Sequence, residues 1–241
     1  VDGGALERSR PDLILTQAVC EVCAVPTPGV ERVVAERGLD ARVLSLDAHT
    51  VDEIFESMLA VGRAAGSAAA AERAVELLRT RIERVRQAVR GEAGPSVLAI
   101  EWLDPPFVPG HWVPEMVELA GGRNLAGETG AHSREISWGD IAHLDPDVLV
   151  IMPCGYGLDA SIADADRHAD RLEAVAPRAV AQRRAFAVDG SSYFNRSGPR
   201  VVDGIEILAG LLHPDRVPAP PAAAAAVWQP NAMLRYSDDR P

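Results

Sequence analysis

From Ala69 to Arg90 the chain carries apolar residues at Ala74, Leu77, Leu78, Ile82, Val85 and Val89, recurring at three- and four-residue steps. That spacing predicts one amphipathic helix of roughly twenty residues, about 30 Å long. No other segment constrains the fold as strongly, because of what flanks it. On both sides the chain reads as short apolar runs separated by helical patterns. A helix of this length in that place either covers a sheet or joins two lobes rigidly, and its position between two strand–helix series favours the connector.

The apolar runs are "LILT" at 13–16, "ARVLSL" at 41–46, "SVLAIEW" at 96–102, "DVLVIM" at 147–152 and "AFAVDG" at 185–190. Hydrophobic throughout and bounded by polar or turn residues, they predict buried parallel strands. "VERVVAERG" at 30–38 and "VPEMVELAGG" at 113–122 predict helices stopped by glycine. Ser137–Leu144 predicts a serine-capped helix ending before Asp145-Pro146. A break is expected at "AAGSA", residues 64–68. The end of the chain, from Pro214, is rich in proline and alanine and reads as an extended strap or loose segment, with Trp228 and Tyr236 pinning it to the surface.

One phrase occurs twice. "PDLILTQAVCEVC" at 11–23 is echoed by "PDVLVIMPCGYG" at 146–157: a proline that stops a helix, a strand, then a loop with cysteine. In open α/β sheets ligands sit outside the carboxyl ends of strands, so both loops are candidate binding loops. Chance recurrence of a common strand-starting phrase is the alternative.

Composition removes several functions. All 24 basic residues are arginine, which excludes a Schiff-base lysine and a phosphate-loop lysine. The formal net charge of −11 without a basic stripe argues against nucleic acid as a partner. No apolar run is long enough for a membrane span, and the first residues hold no apolar signal-peptide core. The three cysteines are too few for a disulfide scaffold, and free thiols fit a reducing, cytoplasmic compartment. No nucleophile elbow, HExxH or glycine-rich phosphate loop is present, and no catalytic role is expected.

What gathers at the predicted strand ends is aromatic. "EWLDPPFVPGHWVPE" supplies Glu101, Trp102, Phe107, His111 and Trp112, "SWGD" Trp138, "MPCGYG" Cys154 and Tyr156, and "SSYFNRSG" Tyr193, Phe194 and Arg196. In a chain only 5% aromatic, this bunching predicts a cleft for a large, flat or apolar ligand, with loop packing as the plainer use of the same rings. Cys20, Cys23, Cys154 and His111 could form a Cys3His set for zinc or iron, although a lone CxxC fits buried or ligand-touching thiols equally well. Glu21, Glu101 and His111 are the loop residues suited to acid–base work.

Three phrases, "RPDLILTQAVCEVCAVP", "EWLDPPFVPGHWVPEMVELAGG" and "SWGDIAHLDPDVLVIMPCGYG", closely resemble the cobalamin-binding branch of the helical-backbone periplasmic binding proteins, the receptors of ABC importers. The resemblance runs from about Val1 to Pro214. It implies an α/β fold of two Rossmann-like lobes bridged by one long backbone helix. The lobes are expected at 1–66 and 92–213, the bridge at 67–91 and a tail at 214–241. Members carry further N-terminal strands, so the first lobe is expected to be N-terminally reduced. The implied ligand is a corrinoid or related metallo-tetrapyrrole held between the lobes by Trp102, Phe107, His111, Trp112, Trp138, Tyr156, Tyr193, Phe194 and Arg196. The implied partner is an ABC permease, met by Glu31 and by Asp140, which stands beside Gly139 where receptors place a docking glutamate. By resemblance the location is extracytoplasmic. Two other readings stay open: a metal-site protein or enzyme built on the cysteines and His111, and a partner-binding module without a small ligand.

Overall fold

The computed structural model describes residues 1–18 and 27–230. The chain divides into two compact units, Val1–Leu78 and Arg79–Pro241, with the division inside one long helix.

The first unit runs α1 (Gly3–Ser9), β1 (Leu13–Thr16), α2 (Thr27–Glu36), β2 (Arg42–Ser45), α3 (Val51–Ala64) and the start of α4 (Ala68–Ala88). β1 and β2 pair in parallel, Leu13 against Arg42 through Thr16 against Ser45, with α2 as the crossover. At the carboxyl end of β2, Asp47 accepts hydrogen bonds from the Ser45 hydroxyl (2.6 Å) and from the Ala18 N–H (2.5 Å). α3 starts with a reciprocal cap: Thr50 Oγ1 accepts from the Glu53 N–H, and the Glu53 carboxylate accepts from the Thr50 and His49 N–H groups. Gly66, at φ 69°, makes the expected break before α4.

α4 is 21 residues long, about 31 Å at 1.5 Å per residue. Its buried stripe is Val75, Leu78, Ile82 and Val85, continued by Val89 just past its end. Leu77, expected on that face, is 67% exposed, and Val75 takes its place. Leu77 is adjacent to Leu78 and so lies about 100° around the helix from it, outside this narrow stripe.

The second unit begins with the end of α4. It continues through β3 (Ser96–Ile100), β4 (Trp102–Leu103), β5 (Pro106–Val108), α5 (Val113–Leu119), β6 (Arg123–Asn124), β7 (Arg134–Glu135), α6 (Trp138–Ile141) and β8 (Val148–Ile151). Then come α7 (Leu158–Arg167), α8 (Ala169–Val175), α9 (Pro177–Ala181), β9 (Ala185–Val188), α10 (Gly190–Tyr193), α11 (Val201–Leu212) and β10 (Ala225–Val227). The main sheet has the order β10-β9-β8-β3-β6, parallel except for β10. A small antiparallel sheet, β4-β5-β7, extends from the end of β3.

Both faces of the main sheet are covered, which is why its central strands are apolar at every position. Leu98, Ile100, Leu149, Ile151, Ala185 and Ala187 face one core with Leu172, Val175 and Ala179 from α8 and α9. The alternate residues face the other way; Val97, for example, stands with Val117 and Leu212 around the place a Cβ on Gly122 would take. The Pro-Asp phrase before β8 has a structural use. The Asp147 carboxylate accepts from both the N–H (2.8 Å) and the hydroxyl (2.6 Å) of Ser96, and Arg178 pairs with it at 2.7 Å. The starts of β3 and β8 are thereby clamped in register.

The segment after Pro214 differs from expectation. It returns along α11 and enters the sheet as β10, antiparallel to β9. Trp228 is 2% exposed, part of the core, and its indole N–H donates to Asp166 at 2.9 Å. An indole buries a large apolar area, and this one also finds an acceptor for its N–H, so it is a core residue and not a surface pin. Tyr236 lies outside the described residues.

Candidate functional site

The order of the strands locates the site. The chain leaves β3 through α5 to β6 on one side, then passes through α6 to β8 on the other. Connections therefore diverge between β3 and β8, and the crevice outside their carboxyl ends is where an open α/β sheet accommodates a ligand. The loops at that point are Glu101–Gly110 and Met152–Gly157.

These two loops are fastened to each other. The Met152 N–H donates to the Ile100 carbonyl (2.9 Å), and the Cys154 N–H to the Glu101 carbonyl (3.0 Å). Above those bonds Trp102 and Tyr156 meet edge to face, with 5.5 Å between ring centroids. Both rings are half-buried. The Trp102 indole N–H donates to the Asp104 carbonyl, and Trp102 stands opposite Phe107 across the β4–β5 pair. Three aromatic rings are thus held on short, paired backbone at the crevice, which keeps their ordering cost on binding small.

Beside them lies a polar cluster. The Gly110 N–H donates to Ser133 Oγ at 3.1 Å, and the Ser133 hydroxyl bonds the Glu101 carboxyl. Burial pushes the Glu101 carboxyl above the ordinary glutamate range, and the bond from Ser133 draws it part of the way back. His111 has φ 51°, uncommon for a side chain other than glycine, and is fixed there by bonds with the Ala131 carbonyl and the Gly130 N–H. Its ring is 5.2 Å from that of His132, edge to face, and 5.8 Å from that of Trp112.

The expected site residues do not all share this place. Trp112, 7% exposed, gives its indole N–H to the Phe194 carbonyl at 2.8 Å, and the Phe194 ring is fully buried. These two rings pack within the unit in this structure. Trp138 packs against the core at the start of α6, with the Arg171 guanidinium 5.8 Å from its ring centre. Its indole N–H is buried and has no hydrogen-bond partner among the described residues. Tyr193 lines a separate groove of about 590 Å³ between α4, α11 and the Val217–Pro221 strap, where Arg81 pairs with Asp203 (2.5 Å) and Glu206 (2.6 Å). Arg196 is exposed on the turn before α11. Asp140 is exposed and accepts from the Ser137 hydroxyl at 2.7 Å, and Glu31 is exposed on α2 of the first unit.

Cys154 is exposed beside Gly155. Cys20, Glu21 and Cys23 lie outside the described residues, and with them two members of the expected four-residue metal set. Among the described residues no three His, Cys, Asp or Glu side chains are grouped to hold a metal ion. No helix among them is long and apolar enough to cross a membrane. Ser133 and His132 went unnoticed in the sequence. They sit in a glycine-rich loop with no periodicity, and only the backbone ladder to Gly110 and His111 brings them to the site.

Comparison with known proteins gives a consistent picture. A family model described as periplasmic binding protein matches residues 10–188. A curated protein of Halobacterium salinarum, named cobalamin-binding protein, is 26% identical over 176 residues, covering 69% of this chain and 45% of the relative. The chain therefore spans about half the length of the curated relatives it matches. A periplasmic heme binding protein from Pseudomonas aeruginosa superposes with a TM-score of 0.71 at 21% identity, over 96% of this chain and 82% of that one. The periplasmic vitamin B12 binding protein of Vibrio cholerae gives 0.66 at 19% identity, over 88% and 78%. At these identities the structures establish the shared fold.

Proposed function

The chain belongs to the periplasmic binding protein family, and from that premise we propose that it is an extracytoplasmic receptor holding a corrinoid or related metallo-tetrapyrrole for an ABC importer. The observation that carries this reading is the Trp102–Tyr156 pair set on fastened loops where the connections of the sheet diverge. A tetrapyrrole offers a broad, flat, largely apolar face and a polar rim. Trp102, Phe107 and Tyr156 supply the complementary apolar surface, and Glu101, Ser133 and His111 supply polar groups at its edge. The name of the Halobacterium salinarum relative supports cobalamin within this class. The proposed role is binding.

His111 and Arg196 are the candidate contacts to the rim of the ligand, and Trp138 supports the loop of α6 below it. Glu31 and Asp140, one exposed carboxylate in each unit, are the proposed points of contact with a permease. The test is titration of the purified protein with cyanocobalamin and with haemin, followed by absorbance and calorimetric heat. Saturable one-to-one binding of either supports the receptor reading; absence of binding by both rejects it.

A further inference from the structure

The Glu101 carboxyl is placed and partnered in a way that speaks to ligand choice. It stands one residue beyond β3, and its own carbonyl is tied to the Cys154 N–H of the facing loop. The side chain therefore has a fixed root at the crevice. Ser133, whose oxygen accepts the Gly110 N–H, is the hydrogen-bonding side chain that acts on it. A carboxylate has room for about four hydrogen bonds and gives none. Among the described residues, burial and the bond with Ser133 are what act on it. It is thus an acceptor-rich, desolvated group whose remaining capacity only a donor can satisfy.

Resting on the corrinoid reading above, we propose that Glu101 is a specificity-determining residue that selects amide-edged over carboxylate-edged tetrapyrroles. The side chains around a corrin ring end largely in primary amides, each with two N–H donors. A porphyrin such as haem ends in two propionates. An amide fills the open acceptor positions of Glu101. A carboxylate in the same position sets like charges together in a partly desolvated site and leaves both without donors. The aromatic rings beside it discriminate little between two flat macrocycles, so the rim is where selection takes place.

The experiment changes the ligand rim while keeping the macrocycle. Cyanocobalamin is compared with its b-, d- and e-monocarboxylic acids, in each of which one side-chain amide is a carboxylate. Wild-type protein, Glu101→Gln and Glu101→Asp are each titrated at neutral pH. At least one acid is expected to bind wild type about tenfold more weakly than cyanocobalamin. Glu101→Gln is expected to reduce that deficit below about threefold, and Glu101→Asp, which keeps the charge, to retain most of it. If all three acids bind wild type as cyanocobalamin does, or the deficit survives in Glu101→Gln, the role of Glu101 is rejected while corrinoid binding stands. The wild-type comparison alone decides this should a variant fail to fold. Absence of cyanocobalamin binding rejects the functional reading itself, and the role of Glu101 with it.

Discussion

Trp102 and Tyr156 touch edge to face, 5.5 Å apart, although 54 positions separate them in the chain (156 − 102). They meet because β3 and β8 are neighbours in register, Ile100 beside Ile151, and the loops leaving them are bonded backbone to backbone. A pre-formed ring pair does not have to be ordered when a ligand arrives. Trp102→Ala is expected to weaken corrinoid binding about ten- to hundredfold, the range for losing an aromatic anchor. Tyr156→Phe, which keeps the ring, should cost far less. Equal losses in the two variants, measured by titration, would show that ring packing is not what the site uses.

Glu101 should trade stability for its position. Its carboxyl is raised above the value it has in the unfolded chain, so its contribution is favourable below the unfolded value and is lost as pH rises through the folded one. Above its folded value the buried charge is a cost. Glu101→Gln should therefore melt higher than wild type at the alkaline end, with the difference shrinking or reversing in acid. Melting curves across that pH range check the sign.

Asp147 behaves in the opposite sense. The Ser96 hydroxyl and N–H, helped by Arg178, hold its carboxyl below the usual aspartate range. A depressed carboxyl contributes stability that is fully present above its unfolded value and disappears as pH falls through its folded one. Asp147→Asn should lower the melting temperature at neutral pH and make little difference at strongly acid pH. A pH-independent loss would mean that hydrogen-bond geometry, not charge, is what the clamp supplies.

Trp228 closes the core between β9 and α7. Trp228→Ala should cost about 3–5 kcal/mol, the usual range for emptying a buried aromatic site. Trp228→Phe retains the apolar filling but leaves Asp166 without its indole donor, and should cost less. Denaturant unfolding measures both; a loss under about 1 kcal/mol for the alanine variant would place Trp228 at the surface after all.

Much of this architecture is legible in the sequence because parallel strands covered on both faces must be apolar at every position, and "SVLAI", "VLVI" and "AFAV" are. The long helix and its break at Gly66 follow from periodicity and backbone freedom. What stays hidden depends on distant partners. Trp112 and Trp102 sit in the same loop and look alike in sequence. Only the carbonyl of Phe194, 82 residues away, decides that Trp112 turns inward. β10 is three residues of alanine and valine, too short and too small to give a period. Ser133 becomes part of the site through its bond with the Gly110 N–H across 23 residues, a relation no local pattern encodes.

The measurement that bears most directly on this account is calorimetric titration of the purified protein with cyanocobalamin, with the absorbance spectrum followed in parallel. The account predicts saturable binding of one ligand per chain, weakened by Trp102→Ala. No heat and no spectral change at ligand concentrations up to the millimolar range, from protein shown to be folded, would contradict it.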